Sequence, residues 1–290
     1  MSAAATDGAT PVQTTETGRL RVRLGTLLRR PLFVVGLTIL VGYAVVAIVG
    51  PWLLPDPLAT GQGGPLQAPS ADHPFGTDRF GRDVLARSVA AIRLDVVLGV
   101  TIAALAMTIG SAIGVLAGYW GGWVDEAIMR CTDVLLAFPG FVLALIIAAV
   151  LGDNVRNVVI AVAIAYTPHF VRLTRAQVLS VREMEFVDAA RIGGNRPLRV
   201  AFRHVLPNSL GPSMVQATLV TGWAILDVAG LAFLGVGIGP PTAEWGVMVA
   251  EGANDVVSGY WWTSLFPGGM IVLAVAAFHL LGDELEGELR

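Results

Sequence analysis

Long apolar runs alternate along this chain with short charged segments. Uncharged windows cover residues 32–54, 96–124, 134–152, 157–171, 204–226 and 256–281. About 20 helical residues cross roughly 30 Å of hydrocarbon. Inside a bilayer the backbone must satisfy its own hydrogen bonds, which leaves helices or closed barrels, and these runs are too long and too evenly apolar for barrel strands. The expected fold is all-α, a polytopic membrane protein with about six transmembrane helices. The fourth window is short and contains Pro168 and His169; it is expected to continue through Arg172 and Arg175, whose side chains can snorkel to the interface.

Between the runs, composition marks the remaining segments. Residues 1–18 are polar and rich in Ala, Thr and Gly, and Arg19, Arg21, Arg23, Arg29 and Arg30 follow, so residues 1–30 read as a disordered, basic tail. The first run exceeds the roughly 7–15 apolar residues of a signal peptide and is a retained span that opens a membrane domain over residues 31–285. Residues 55–93 begin with Pro55, Pro57, Pro65, Pro69 and Pro74, an irregular loop, and turn helical from Asp83 to Arg93, with Val84, Ala91 and Leu94 set to lie against the membrane. Residues 235–260 carry Gly239-Pro240-Pro241 and end in Tyr260, Trp261 and Trp262, an interfacial aromatic belt.

Arginine placement orients the chain. With both termini cytoplasmic, fourteen arginines lie inside and five outside. Residues 55–93 and 235–260 are then external, and residues 179–207 and the tail at 286–290 cytoplasmic. Arg79, Arg82, Arg87 and Arg93, all ahead of the second span, count against that orientation.

Composition narrows the chemistry. Only 14% of residues are charged, against about 25% in soluble domains, which agrees with a membrane protein. A net charge of -3 gives no reason to expect nucleic acid. Every basic residue is arginine, so no phosphate-binding Gly-x-x-x-x-Gly-Lys-Ser/Thr loop exists in the chain. Cys131 stands alone and points neither to an internal disulfide nor to a metal site. With no Ser/His/Asp or His-x-x-Glu-His arrangement, no residue is singled out as catalytic.

Residues 182–207 are the most informative stretch. Phe186, Ala189, Ala190 and Gly193 share one helical face, the pattern breaks at Gly193-Gly194, and Leu198, Ala201, Phe202 and Val205 repeat it after Pro197. Arg196, Arg199 and Arg203 fall on the other side. Such basic amphipathic helices can lie among lipid headgroups. The small residues on the apolar face suit close approach by another protein instead.

The loop resembles that of a known family. Asp188-Ala189-Ala190, three residues, Gly194, nine residues and His204-Val205-Leu206-Pro207 is similar to the coupling loop of binding-protein-dependent ABC importer permeases, Glu-Ala-Ala, three residues, Gly, nine residues, Ile-x-Leu-Pro. Asp188 replaces Glu and His204 replaces Ile. His73-Pro-Phe-Gly-Thr-Asp-Arg-Phe-Gly-Arg-Asp-Val-Leu-Ala-Arg87, Leu135-Leu-Ala-Phe-Pro139, Phe233-Leu-Gly-Val-Gly237, Pro241-Thr-Ala-Glu-Trp-Gly246 and Leu280-Leu-Gly-Asp283 resemble the second, C-type permease subunit of the dipeptide, oligopeptide and nickel importers.

That resemblance implies a type I ABC importer permease fold in a prokaryotic cell membrane. It implies a second homologous permease subunit forming a heterodimer, two cytoplasmic ATPase domains and an extracytoplasmic binding protein. ATP and Mg would be bound by the ATPase subunits, leaving this chain without a cofactor. Glu185, Asp188, Ala189, Ala190, Gly194, Leu206 and Pro207 are the implied coupling residues. Di- or oligopeptides are the implied substrates, with nickel and glutathione as alternatives inside the family. An ion-coupled secondary transporter is the alternative outside it, but the chain shows no convincing inverted repeat.

Other polar residues carry two readings each. Asp227, near the end of the fifth run, is a candidate for lining a translocation path or for an interhelical hydrogen bond. Arg130 and Asp133, three apart, read as a local ion pair. His169 and His279 read as plain hydrogen-bonding residues rather than a proton relay. Glu244, Glu251 and Asp255 read as solvated charge.

Overall fold

The computed structural model describes residues 25–61 and 63–289. The expected tail through residue 24, with Arg19, Arg21 and Arg23, and Arg290 lie outside the described residues. The helices with both ends among the described residues follow in order: α1 Pro31–Leu53, α2 Val84–Trp120, α3 Gly122–Leu136, α4 Gly140–Leu151, α5 Val155–Val181, α6 Glu185–Ile192, α7 Pro197–Val200, α8 Leu206–Ser209, α9 Gly211–Phe233, α10 Trp245–Val257 and α11 Trp262–Leu289. A π-helical turn, Ala201–Val205, joins α7 to α8.

Among the described residues five helices, α1, α2, α5, α9 and α11, are long and apolar enough to cross a membrane, and α3 and α4, which meet at a 90° bend, pass the same test only when taken together. This is the all-α, polytopic architecture expected, with its third span bent. The break sits at Phe138-Pro139, where a proline disfavours helical geometry in the residue before it. The helical start foreseen at Asp83 is the first turn of α2, which is capped by the Asp83 carboxylate accepting from the Ala86 amide at 2.8 Å. Val84 and Ala91 are buried and Leu94 packs on the core, so these residues face protein rather than lipid.

α2 is the spine. Gly110, Gly114 and Gly118 recur every fourth residue on one face and meet α5 backbone to backbone. A Cβ on Gly110 would lie 2.7 Å from the Thr167 carbonyl oxygen, one on Gly114 2.7 Å from that of Val171, and one on Gly118 3.0 Å from that of Arg175. Without a hydrophobic drive between helices in lipid, such close approach is a chief source of packing energy. Thr174 of α5 donates to Ser111 of α2 at 3.0 Å and lies 3.1 Å from Ser213 of α9, tying three helices at one buried point.

The core divides along this spine. Leu98, Ile102, Val158, Val162, Ala224 and Leu231 fill the space between α2, α5 and α9. Tyr43, Ile92, Ile225, Trp245 and Phe278 join α1, α2, α9, α10 and α11. At one end of the bundle, Arg30 ahead of α1 reaches Glu284 at 2.9 Å and Glu288 at 2.8 Å on α11. At the opposite end lie the 55–83 loop and α10.

Gly114→Val tests the spine. Its methyls would have to displace α5 backbone, an overpacking cost of about 1–3 kcal/mol or more. The purified variant is expected to aggregate at a temperature several degrees below wild type, while Gly140→Val, where an added Cβ meets open space, leaves the transition unmoved.

Candidate functional site

Two clusters occupy opposite ends of the bundle, and one polar pair lies between them. At the arginine-rich end, α6, α7 and α8 are held against the carboxyl ends of α2 and α5. Val187, Val200, Ala201 and Val205 are fully buried against Val115, Val178 and Val181, with Ala190 and Leu206 packed beside them. Arg182 donates to the Gly118 carbonyl at 2.7 Å, fixing the exit from α5.

The stripe read from sequence therefore splits. Ala201 and Val205 turn inward, joined by Val187 and Val200, whereas Leu198 and Phe202 face out with Met184, Phe186 and Ile192. Ile192 is 89% exposed, an unusual position for isoleucine unless something covers it. Glu185, Asp188, Ala189, Gly194 and Pro207 are exposed around these apolar side chains, and Ala190 is half-buried. Gly194 has φ +77° and no atom within 4 Å of an added Cβ, so its requirement is backbone geometry. Asn195 closes the turn by donating its Nδ2 to the Ala190 carbonyl at 2.9 Å, and Asp188 pairs with Arg191 at 2.9 Å.

The Asp227 carboxylate, in the last third of α9, accepts from the Tyr166 hydroxyl of α5 at 2.7 Å and is partly buried. Here the interhelical bond expected as one of two readings is present. Arg130 and Asp133 do not pair with each other: Arg130 reaches Glu126 at 3.1 Å, one helical turn away, while Asp133 faces α5 and meets Arg172 at 2.5 Å. His279 Nδ1 lies 2.9 Å from its own helix at the Val275 carbonyl.

At the loop end, Glu251, expected to be solvated, joins a largely buried ion network, and Asp255 pairs with an arginine nearer the surface. Asp78 holds Arg82 Nε at 2.6 Å and Arg87 at 2.8 Å, and Glu251 of α10 holds the same two arginines at 3.0 and 2.8 Å. Arg79 reaches Asp255 at 3.2 Å. Three of the four arginines that opposed the orientation are thus neutralised within the fold. Trp262, expected in an aromatic belt, is buried and donates Nε1 to the Thr77 carbonyl at 3.1 Å. Glu244, fully buried, caps α10 through the Val247 amide at 2.6 Å. Asp95 of α2 accepts from the adjacent Trp245 amide at 3.1 Å, so two carboxylates converge on one helix start. Nothing in the local sequence marks this convergence, because the partners are about 150 residues apart.

Fold and site together define a multi-pass α-helical membrane protein with a rigid apolar platform at one end. Residues 110–287 match the binding-protein-dependent transport system inner membrane component, and residues 21–69 match the N-terminal TM domain of oligopeptide transport permease C. The chain is 44% identical over 264 residues to the dipeptide transport system permease protein DppC of Alkalihalophilus pseudofirmus, covering 91% of this chain and 86% of the relative. It is 41% identical over 250 residues to the di/tripeptide transport system permease protein DppC of Pseudomonas aeruginosa, covering 84% and 82%. To the glutathione transport system permease protein GsiD of Pectobacterium atrosepticum it is 40% identical over 223 residues, covering 77% and 74%. The chain belongs to the C-type permease subunits of the dipeptide and oligopeptide ABC importers. Such permeases work with ATPase and substrate-binding partners.

Burial pushes the Glu244 carboxyl up to about 7 from its ordinary 4.5. The folded state therefore holds this proton more tightly than the unfolded chain. Its contribution to stability is complete below about pH 4.5 and is lost as pH rises through 7. Thermal unfolding in detergent should fall between pH 5 and pH 8, and Glu244→Gln should flatten that slope. An unchanged slope in the variant would refute the assignment.

Proposed function

We propose that this chain forms half of the translocation pathway of an ATP-driven importer of di- or oligopeptides, paired with a second homologous permease. Its loop of α6 to α8 is the surface on which a cytoplasmic ATPase docks. The observation that carries this reading is the loop's two-sided packing. Val187, Val200 and Val205 anchor it to the spans, while Phe186, Ile192, Leu198 and Phe202 remain uncovered. A helix lying among headgroups needs only one apolar face; this loop has used one inside the protein and keeps another outside.

Glu185, Asp188, Ala189, Ala190, Gly194, Leu206 and Pro207 form or support that surface. ATP and Mg belong to the ATPase subunits, and hydrolysis reaches this chain as a push on the loop, transmitted through Val178 and Val181 to α5 and through Val115 to α2. Asp227, bonded to Tyr166 between α5 and α9, is the group on the pathway suited to a peptide's cationic amino terminus. Peptide substrates follow from the names carried by the relatives.

Both termini and the α6 to α8 loop are cytoplasmic in this reading, and the 55–83 loop faces the binding protein. In a Cys131→Ala background, a membrane-impermeant maleimide should label Asp72→Cys in intact cells and leave Arg196→Cys unlabelled until the membrane is opened. Labelling of both in intact cells would reverse the orientation.

ATPase docking has a separate test. Ile192→Glu alters a side chain that is 89% exposed, so the fold should be unaffected while the docked surface is lost. Gly194→Val forces a β-branched residue into positive φ at a cost of about 1–2 kcal/mol, whereas Gly194→Asn tolerates it. ATPase co-purified per permease should drop roughly fivefold or more for the first two, with peptide uptake falling in parallel, and stay near wild type for Gly194→Asn. Full recovery and normal uptake with Ile192→Glu would remove the docking assignment.

A further inference from the structure

Arg93, in the third turn of α2, is the fourth of the arginines between residues 79 and 93, and the network that neutralises the other three does not include it. Among the described residues it has no carboxylate partner, and its side chain is exposed. It lies on the wall of a lateral groove of about 620 Å³ between α1, α2 and α11, lined by Leu40, Ala44, Ile48, Val96, Trp52 and Phe278 among others. That volume falls within the roughly 300–1,000 Å³ of ordinary ligand sites. Arg93 is the charged side chain of the lining; the Tyr43 hydroxyl, also there, is already spent on the Met270 carbonyl at 2.8 Å.

Depth fixes what can occupy such a groove. Arg93 lies three residues before the uncharged run that starts at Val96, about 4.5 Å along the helix axis. Trp52, 80% exposed near the end of α1, lines the same groove. An arginine and a tryptophan together, with apolar walls running from them into the bilayer, mark the membrane interface. A ligand matching this surface has apolar chains and an anionic head at the interface.

We propose that the groove binds a phospholipid of the leaflet adjoining the 55–83 loop. Its phosphate pairs with Arg93, and an acyl chain lies along Leu40, Ala44 and Ile48 of α1 and Val96 of α2. The guanidinium fork matches phosphate oxygens in a bidentate manner. The lipid fills the gap between α1 and the spine, where α1 otherwise rests on few buried side chains. This inference does not depend on the peptide assignment.

The test uses the assembled importer in nanodiscs containing phosphatidylethanolamine and a phosphatidylglycerol with a diazirine in its acyl chain. After illumination, peptide mapping should find the label on groove residues such as Ile48 and Val96. Labelling at Val272, 66% exposed elsewhere on α11, serves as the reference for ordinary boundary lipid. Arg93→Ala should cut the groove-to-Val272 ratio at least fivefold, Arg93→Lys should keep most of it, and Ala44→Trp, which fills the groove, should abolish it. A ratio untouched by Arg93→Ala would reduce the groove to ordinary boundary lipid. Cross-linking of Ala44→Cys to the second permease with no lipid label would assign it to a subunit contact. Either result overturns the proposal.

Discussion

Everything in this bundle hangs on the backbone contact between α2 and α5 along Gly110, Gly114 and Gly118. Within lipid, apolar side chains gain little by leaving one hydrocarbon environment for another, so helices associate where their backbones can come close. The glycine stripe provides that approach, and the hydroxyls of Ser111, Thr174 and Ser213 add polar bonds at the same depth. With these helices joined, α9 packs into the groove they leave, and α1 and α11 close the outside.

Both ends of the molecule take their geometry from that pair. The carboxyl ends of α2 and α5 present Val115, Val178 and Val181 as a floor for the α6 to α8 loop, so displacement of the loop is felt by the paired helices rather than by a flexible tether. At the other end, the first turns of α2 carry Arg82's neighbour Asp83 as a cap and Arg87 as a charge, which draws in Glu251 and with it α10.

The charge distribution follows the same logic. Buried ion pairs stabilise only when each charge is matched in good geometry. Asp78 and Glu251 each touch both guanidinium groups, Arg82 and Arg87, although the Arg87 Nε is buried without a partner among the described residues. Arg82 lies in the loop just ahead of α2 and Arg87 in the first turn of α2, so the network ties the loop to that helix. Arg93 is not part of this network.

The sequence by itself determined the helical class, the approximate spans and the permease family. Lipid demands backbone that satisfies its own hydrogen bonds, which long apolar runs meet as helices, and the family's short motifs are contiguous in the chain. It also placed the turn at Gly194, because positive φ at a helix end selects glycine locally. Only the tertiary structure decided which glycines meet which helix, that Asp133 pairs with Arg172 rather than Arg130, and that Glu244 is buried beside Trp245 rather than solvated. It also decided which face of the loop is outward: periodicity grouped Ala201 and Val205 with Leu198 and Phe202, and the π-helical turn separated them. Periodicity records that a residue is apolar and where it falls around one helix. Burial and charge pairing depend on neighbours that are distant in sequence, and those appear only when the helices are packed.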